Sequence, residues 1–367
     1  MSTPAKLASI DDAVPAHVED ALTRYLAVRR ASLIQRAPAF AEAVDALSAF
    51  VLRGGKRIRP TFAWWGWRGA GGEPAGERAT AVLTAVSALE LLQACALVHD
   101  DLMDASDVRR GAPTVHVAFA GGHRARGWLG DPDRFGMAAA ILIGDLALAW
   151  AEDMFAESGL APRLLAAAWE PWQAMRSEVL AGQFLDVRAQ AEGDESPATA
   201  LAVARMKTAA YTVERPLQLG AALAGADAGT VAAIRTFGSD LGVAFQLRDD
   251  LLGVFGDTRT TGKPAGDDLR EGKRTLLVAL GIRNAEEARR HADADALRAA
   301  LGDPGLTPVT IERIRGLLTD LGAVEDVERR IEALTASALA ALSTAGLAEP
   351  AGTRLAELAV AATTRDR

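Results

Sequence analysis

Apolar residues recur at three- and four-residue spacing along nearly the whole chain, interrupted by glycine, proline and polar turns, with no convincing alternating strand pattern. The pattern predicts helices over about residues 10–34 and 39–53, then a long one from the glycine-rich 69–76 stretch to about residue 105. Further helices are expected at about 135–158, 162–192, 197–224 and 228–253, and helical pattern returns from Lys273 onward with breaks near 302–308, 322 and 346–352. Residues 117–133, rich in Gly, Arg, His and Asp, read as an exposed loop or a short irregular helix, and the polar, glycine-rich 256–272 as a loop. No repeat or long low-complexity linker divides the 367 residues, so one all-α domain spanning 1–367 is expected.

Composition agrees with that reading. Half the residues are hydrophobic, chiefly Ala and Leu, and only 5% are aromatic, a usage that favours helix over sheet. The net charge of −8 supplies no bulk basic field for nucleic acid or an anionic membrane, so any anion must be held by a local cluster. The single cysteine, Cys95, excludes an internal disulfide and suits a reducing cytoplasm. The first twenty residues carry acids where a secretory peptide would be basic and apolar. The most apolar stretch, Met137 to Trp150, is cut by Gly144 and Asp145 and is too short to cross a bilayer. No transmembrane segment is expected, and the chain is read as soluble and cytoplasmic.

Two acidic patches interrupt apolar helices. In Asp100-Asp101-Leu102-Met103-Asp104 the helical repeat puts Asp100 and Asp104 on one face, a turn apart, with Asp101 about 100° around. Only Arg109 and Arg110 lie near enough in sequence to neutralise them. A hard divalent cation removes the repulsion, and magnesium commonly joins one or two carboxylates to a substrate's phosphates. One such motif alone reads as a solvated helix end. A second, Asp249-Asp250 followed by Asp257, makes that explanation poor for both, because opposed acidic helix ends suit several magnesium ions around a diphosphate. Lys56 and Arg59 beyond the Gly54-Gly55 turn, with Arg109 and Arg110, form a local basic group able to hold a second diphosphate without metal. Lys207-Thr208, Lys263 and Lys273 add cations near element boundaries and are individually uninformative.

Together these motifs carry a resemblance. GGKRIRP at 54–60, ELLQ at 90–93, DDLMD with RRG across 100–111, GQFLD at 182–186, KT at 207–208, QLRDD at 246–250 and the TGKPAGDDLREGKRT stretch ending at Thr275 span nearly the whole chain. In their order and spacing the chain resembles the trans-isoprenyl diphosphate synthases of the polyprenyl synthetase family, bacterial geranylgeranyl diphosphate synthases in particular. The resemblance implies a helical bundle around a central active-site cavity, and magnesium-dependent extension of an allylic diphosphate by isopentenyl diphosphate. It implies Asp100, Asp104 and Asp249 as principal ligands of magnesium, three ions with bound diphosphate, supported by Asp101, Asp250 and Asp186. Arg109, Lys207 with Thr208, Gln246 and Lys263 then hold the allylic diphosphate, with Lys273 nearby on a mobile loop. Lys56, Arg59, Gln93 and Arg110 hold isopentenyl diphosphate, and a homodimer is expected.

One departure stands out: where the second motif of relatives often reads DDxxD, this chain has Gly253, leaving Asp257 as the only later substitute and one metal less tightly held. The growing product should descend along the apolar helix below Asp100, where Cys95 and Ala96 are small and Leu92 lies a further turn down. No bulky side chain closes that path, so a product longer than fifteen carbons, twenty by preference, is expected; Trp150, Phe155 or Trp169 could supply a floor from another helix. A terpene cyclase would not need the second diphosphate site, and a non-catalytic synthase subunit would be expected to lack more of the charged residues.

Overall fold

The computed structural model describes residues 9–256 and 266–364, and within them the chain is almost wholly helical. Helices α1 (Val14–Ile34), α2 (Ala41–Leu52), α3 (Ile58–Gly69) and α4 (Glu77–Met103) lead to a two-residue antiparallel ladder, β1 (Val108–Arg109) with β2 (Ala112–Pro113). Then come α5 (Val115–Arg126), α6 (Pro132–Ala156), α7 (Pro162–Glu192), α8 (Pro197–Val203), a π-helical segment (Ala204–Glu214), α9 (Arg215–Ala224) and α10 (Ala228–Phe255). The chain closes with α11 (Asp267–Arg270), α12 (Leu276–Glu287), α13 (His291–Ala300), α14 (Pro308–Asp320), α15 (Ala323–Thr344) and α16 (Ala351–Thr363).

Local chemistry sets the boundaries. Asp131, Ser196, Asp227, Thr275 and Thr307 each accept a backbone amide at a helix N-terminus, and Pro132, Pro162, Pro197 and Pro308 occupy first turns, where their missing N–H costs nothing. The long α4 packs along α6, α3 against α9, and α10 lies between the π segment and α15. Two apolar clusters result, and α10 spans both: Ile234, Phe237 and Leu241 belong to the larger one, Leu247, Leu251 and Val254 to the smaller. Helix α15 does the same, with Ala338 and Leu342 in the first cluster and Val327 and Ile331 in the second.

Four features refine or add to the expectations. Of residues 117–133, read as a loop or a short irregular helix, most belong to the regular helix α5, which begins after Thr114 and ends at the left-handed Gly127, and only 127–131 form a connecting turn. Gly121, Gly122 and the basic residues disguise an apolar face on which Phe119 and His123 pack against Phe135 of α6, with Trp128 edge-on to His123 and Phe135. The helix expected over 197–224 is interrupted by the π turns, because Pro216 has no amide to give the carbonyl four residues back and its ring crowds that carbonyl. The Arg109-Arg110-Gly111-Ala112 stretch forms a hairpin, with Arg110 at φ 52° and Gly111 at φ 72°, the pair of positive angles a type I′ turn requires. Finally, α4 as well as α6 is long and apolar enough to span a bilayer, but 78% of the apolar window of α4 is buried by other helices, against 39% for α6.

Candidate active site

The first acidic patch is the C-terminal turn of α4. Ala105 takes a left-handed φ of 51°, and the Ser106 amide donates to the Asp101 carbonyl at 2.9 Å, closing the helix just past Asp104. This places the carboxylates at a helix end, where unpaired carbonyls already favour cations. Asp101 turns inward, its side chain 1% exposed, and takes the Arg109 Nε–H at 2.5 Å; Arg109 Nη2 lies 3.4 Å from Asp100. The hairpin is what folds Arg109 back onto the aspartates. Arg110, expected beside it as a neutraliser, points away and donates to the Gly54 carbonyl at 2.9 Å.

Two lysines from distant parts of the chain complete the neutralisation. Lys207 Nζ, on the π segment, lies 3.0 Å from Asp100 Oδ1 and 2.6 Å from Asp186 Oδ2 of α7. The backbones come this close because position 182 is glycine: a Cβ there would stand 2.2 Å from the Lys207 amide nitrogen. Lys273, after α11, reaches Glu271 at 2.5 Å, Asp104 at 3.6 Å and Asp268 at 3.7 Å. Burial opposes charge on Lys207, but Asp100, Asp186 and Asp104 outweigh it and hold the ammonium above its ordinary range. The same balance, with Asp268, Glu271, Asp104 and Asp100, raises Lys273 well above. Burial also opposes the charge on Asp100, yet Lys207, Lys273 and Arg109 keep it below the usual carboxylate value; burial and then the Asp100 charge push Asp104 up to about 6.

The second patch lies on α10. Asp249 is exposed, while Asp250 is buried, accepts from Gln246 Nε2 at 2.6 Å, and is pushed up to about 8 by burial and next by Asp268. Lys263 and Asp257 lie outside the described residues, as does most of the 256–272 stretch read as a loop. Lys273, assigned to a mobile loop, is held through its amide on the Asp268 carbonyl at 2.9 Å as well as through its ammonium.

The remaining basic residues gather around the Gly54-Gly55 turn. Arg59 Nη2 donates to Thr212 Oγ1 at 2.8 Å and its guanidinium stacks 4.1 Å from the Tyr211 ring centroid. The buried Tyr211 hydroxyl donates to Gln93 Oε1. Lys56 is exposed at the turn, and Arg57 is buried on Glu90 at 2.8 Å. Sequence reasoning missed Tyr211, Thr212 and the Arg57–Glu90 pair. Tyr211 follows Lys207 by four residues, a spacing that could have flagged it; Arg57 and Glu90 stood inside quoted motifs. Thr208 is half-buried on the same segment as Lys207.

Below Asp100, Cys95 and Leu92 are buried and Ala96 half-buried. Cys95 Sγ is 3.7 Å from His99 Nδ1, and burial, then the Asp145 charge, push its thiol up to about 12, so it remains neutral. Of the aromatic floors considered, Trp169 is 42% exposed and faces outward, Phe155 stacks on Trp172 at 4.4 Å, and Trp150 is buried edge-on to Tyr25.

Among the described residues no three His, Cys, Asp or Glu side chains form a ready cage for a metal ion. The donor set is wholly carboxylate, with Asp100 and Asp104 at the end of α4, Asp186 on α7 and Asp249 on α10, which fits magnesium, an ion usually held by one or two carboxylates plus substrate phosphates.

The chain matches the polyprenyl synthetase family over residues 41–304. It is 33% identical over 280 residues to a geranylfarnesyl diphosphate synthase of Aeropyrum pernix, covering 76% of this chain and 79% of that one. Against a geranylgeranyl diphosphate synthase of Mycobacterium tuberculosis the identity is 34% over 258 residues, 70% of this chain and 67% of the other. Among solved structures, a geranylgeranyl pyrophosphate synthase of Corynebacterium glutamicum complexed with isoprenyl diphosphate and magnesium superposes with a TM-score of 0.93 at 46% identity, covering 97% and 99% of the two chains.

Proposed function

The chain belongs to the polyprenyl synthetase family, and from that membership we propose its reaction and product: it extends dimethylallyl, geranyl or farnesyl diphosphate with isopentenyl diphosphate, releases diphosphate, and makes geranylgeranyl diphosphate. The observation that carries this is the division of the site's cations into two groups. Arg109, Lys207 and Lys273 lie on the acidic helix ends, whereas Arg59 and Arg110, with Lys56, surround the Gly54-Gly55 turn. One group suits a diphosphate that leaves, the other a diphosphate that stays. The test is incubation with magnesium, labelled isopentenyl diphosphate and starters of five, ten and fifteen carbons. Elongation requiring both substrates is expected; no incorporation with any starter overturns the reading.

Ionisation of the allylic diphosphate separates a carbocation from a highly charged leaving group, so the protein's task is charge stabilisation on the diphosphate side. Arg109 and Lys207 meet phosphate oxygens there, and Gln246, held on Asp250, orients one edge of the site. Magnesium, three ions in this proposal, supplies Lewis-acid charge when bound through Asp100, Asp104 and Asp249, with Asp186 in support. Lys56, Arg59, Gln93 and Arg110 hold isopentenyl diphosphate so that its double bond faces the cation, and Tyr211 fixes both Gln93 and Arg59. The released diphosphate accepts the proton lost from the adduct, so no protein base is required.

Product length is read from the wall below Asp100. Each added prenyl unit needs roughly one helical turn, about 5 Å, and Cys95 and Ala96 leave the first turn open, with Trp150 the remaining candidate floor. Cys95→Phe is expected to shift the main product to fifteen carbons or fewer, as chromatography of the dephosphorylated alcohols would reveal. An unchanged profile removes Cys95 from the wall. Farnesyl or longer products from the wild type are the alternative outcomes.

The whole chain acts, in this proposal, as one cytoplasmic helical unit, a reading supported by α10 and α15 joining both apolar clusters. A second copy covers the face of α6 on which Met137, Ile141 and Leu142 stand exposed. Changing Ile141 and Leu142 together to Glu is expected to convert a dimer to monomers in sedimentation at micromolar concentration; a wild type already monomeric there refutes the dimer.

A further inference from the structure

A cavity of about 320 Å³ lies outside the site described above, where the π segment meets α7, α9 and α10. Five charged side chains line it: Arg205 and Glu214 of the π segment, Glu178 of α7, Arg215 of α9 and Arg235 of α10. Met206 and Ala210 form its apolar part. Arg205 precedes Lys207 by two residues, about half a helical turn, so the two side chains leave the segment on opposite sides. Lys207 turns to Asp100 and Asp186, whereas Arg205 is exposed.

The opening does not come from slack packing. A Cβ at Gly238 of α10 would stand 2.6 Å from the Glu214 Cα, and one at Gly242 2.7 Å from the Ala209 Cα, while Gly182 brings α7 equally close at Lys207. The backbones therefore touch on both flanks of the segment, and the cavity is rimmed by side chains. Two of its three guanidiniums are occupied. Arg215 holds both oxygens of Glu178 and donates to Gln218 Oε1 at 2.7 Å, and Arg235 meets Glu214 through Nε at 3.0 Å and Nη2 at 2.8 Å. Arg205 makes no ion pair among the described residues, and it is the charge left over when three guanidiniums face two carboxylates.

Guanidinium groups suit oxyanions, and the volume falls at the lower end of the roughly 300–1,000 Å³ usual for small-molecule sites. It has room for more than an inorganic phosphate, and Met206 and Ala210 give that extra volume an apolar lining. The engaged carboxylates of Glu178 and Glu214 limit the negative charge the cavity tolerates, which favours a monophosphate over a diphosphate.

We propose that this cavity is a separate anion site, apart from the two diphosphate groups of the active site, and that it takes a small phosphate ester. The oxyanion sits on Arg205 and the free edge of Arg235, and the apolar end lies against Met206 and Ala210. A ligand held there ties the π segment to α10 and so bears on the segment that carries Lys207, Thr208 and Tyr211.

The experiment is calorimetric titration of the full chain, without magnesium, with n-butyl phosphate and with inorganic phosphate. The wild type is expected to bind butyl phosphate in a step that Arg205→Gln weakens about tenfold, the worth of one charged hydrogen bond. Arg59→Gln should leave that step in place, because Arg59 belongs to the basic group around the Gly54-Gly55 turn. Arg205 is exposed, so its replacement should not move the melting temperature of the ligand-free chain; Arg235→Gln strands the buried Glu214, which makes Arg205→Gln the deciding variant. Tighter binding of butyl phosphate than of inorganic phosphate supports the ester, and equal binding overturns it in favour of free phosphate. Identical isotherms for the wild type and Arg205→Gln, or a butyl phosphate step lost only in Arg59→Gln, overturn the site itself.

Discussion

Asp100→Asn is expected to lower kcat for elongation by about 10³-fold, roughly 4 kcal/mol of transition-state stabilisation. Asparagine keeps the size of the side chain and removes its charge. That charge is the one on which the site converges: Lys207 lies 3.0 Å from Asp100 Oδ1, Arg109 3.4 Å from Oδ2, and Asp104 sits a turn further on. Without it Lys207 keeps its ion pair with Asp186 and the more distant charge of Asp104, and the helix end offers an incoming cation one carboxylate fewer. The loss should fall on kcat and on the magnesium concentration needed for half-maximal rate. KM for isopentenyl diphosphate should change little, since Arg59, Gln93 and Tyr211 make no contact with Asp100. Steady-state kinetics over a magnesium series separates these effects. A variant retaining a tenth of the wild-type rate at unchanged magnesium demand would remove Asp100 from the metal-bearing role.

Much of this site was legible because its residues are motif residues at helix ends. The aspartates interrupt long apolar runs, and periodicity alone put Asp100 and Asp104 on one face. What stayed hidden depends on contacts between segments far apart in sequence. Lys207 looked like a boundary lysine because nothing local reveals that Gly182 lets its backbone approach α7. Tyr211 was hidden because its partners, Gln93 of α4 and Arg59 of α3, lie far from it along the chain. Helix α5 was obscured for the opposite reason: its apolar face is aromatic and brief, so its glycines and charges dominated the pattern.

The largest stability effect should come from Arg57. Its side chain is 2% exposed and that of Glu90 6%, and they meet at 2.8 Å between the turn before α3 and the middle of α4. Arg57 also holds a left-handed φ of 49°, an arrangement that surrounding contacts must enforce in a residue with a Cβ. Arg57→Met leaves the Glu90 carboxylate buried without its partner, which typically costs about 3–5 kcal/mol. Pairing it with Glu90→Leu removes the stranded charge, and much of the loss should return, because two apolar side chains in a buried site need no partner. Denaturant unfolding of the two single variants and the double gives the coupling directly. The consequence for function is specific: Arg57 lies between Lys56 and Arg59, so its loss should loosen the Gly54-Gly55 group and raise KM for isopentenyl diphosphate, while KM for the allylic substrate stays near the wild-type value. A loss below about 1 kcal/mol in Arg57→Met, of the order expected for an exposed pair, would mean that the ion pair does not lock this turn to α4.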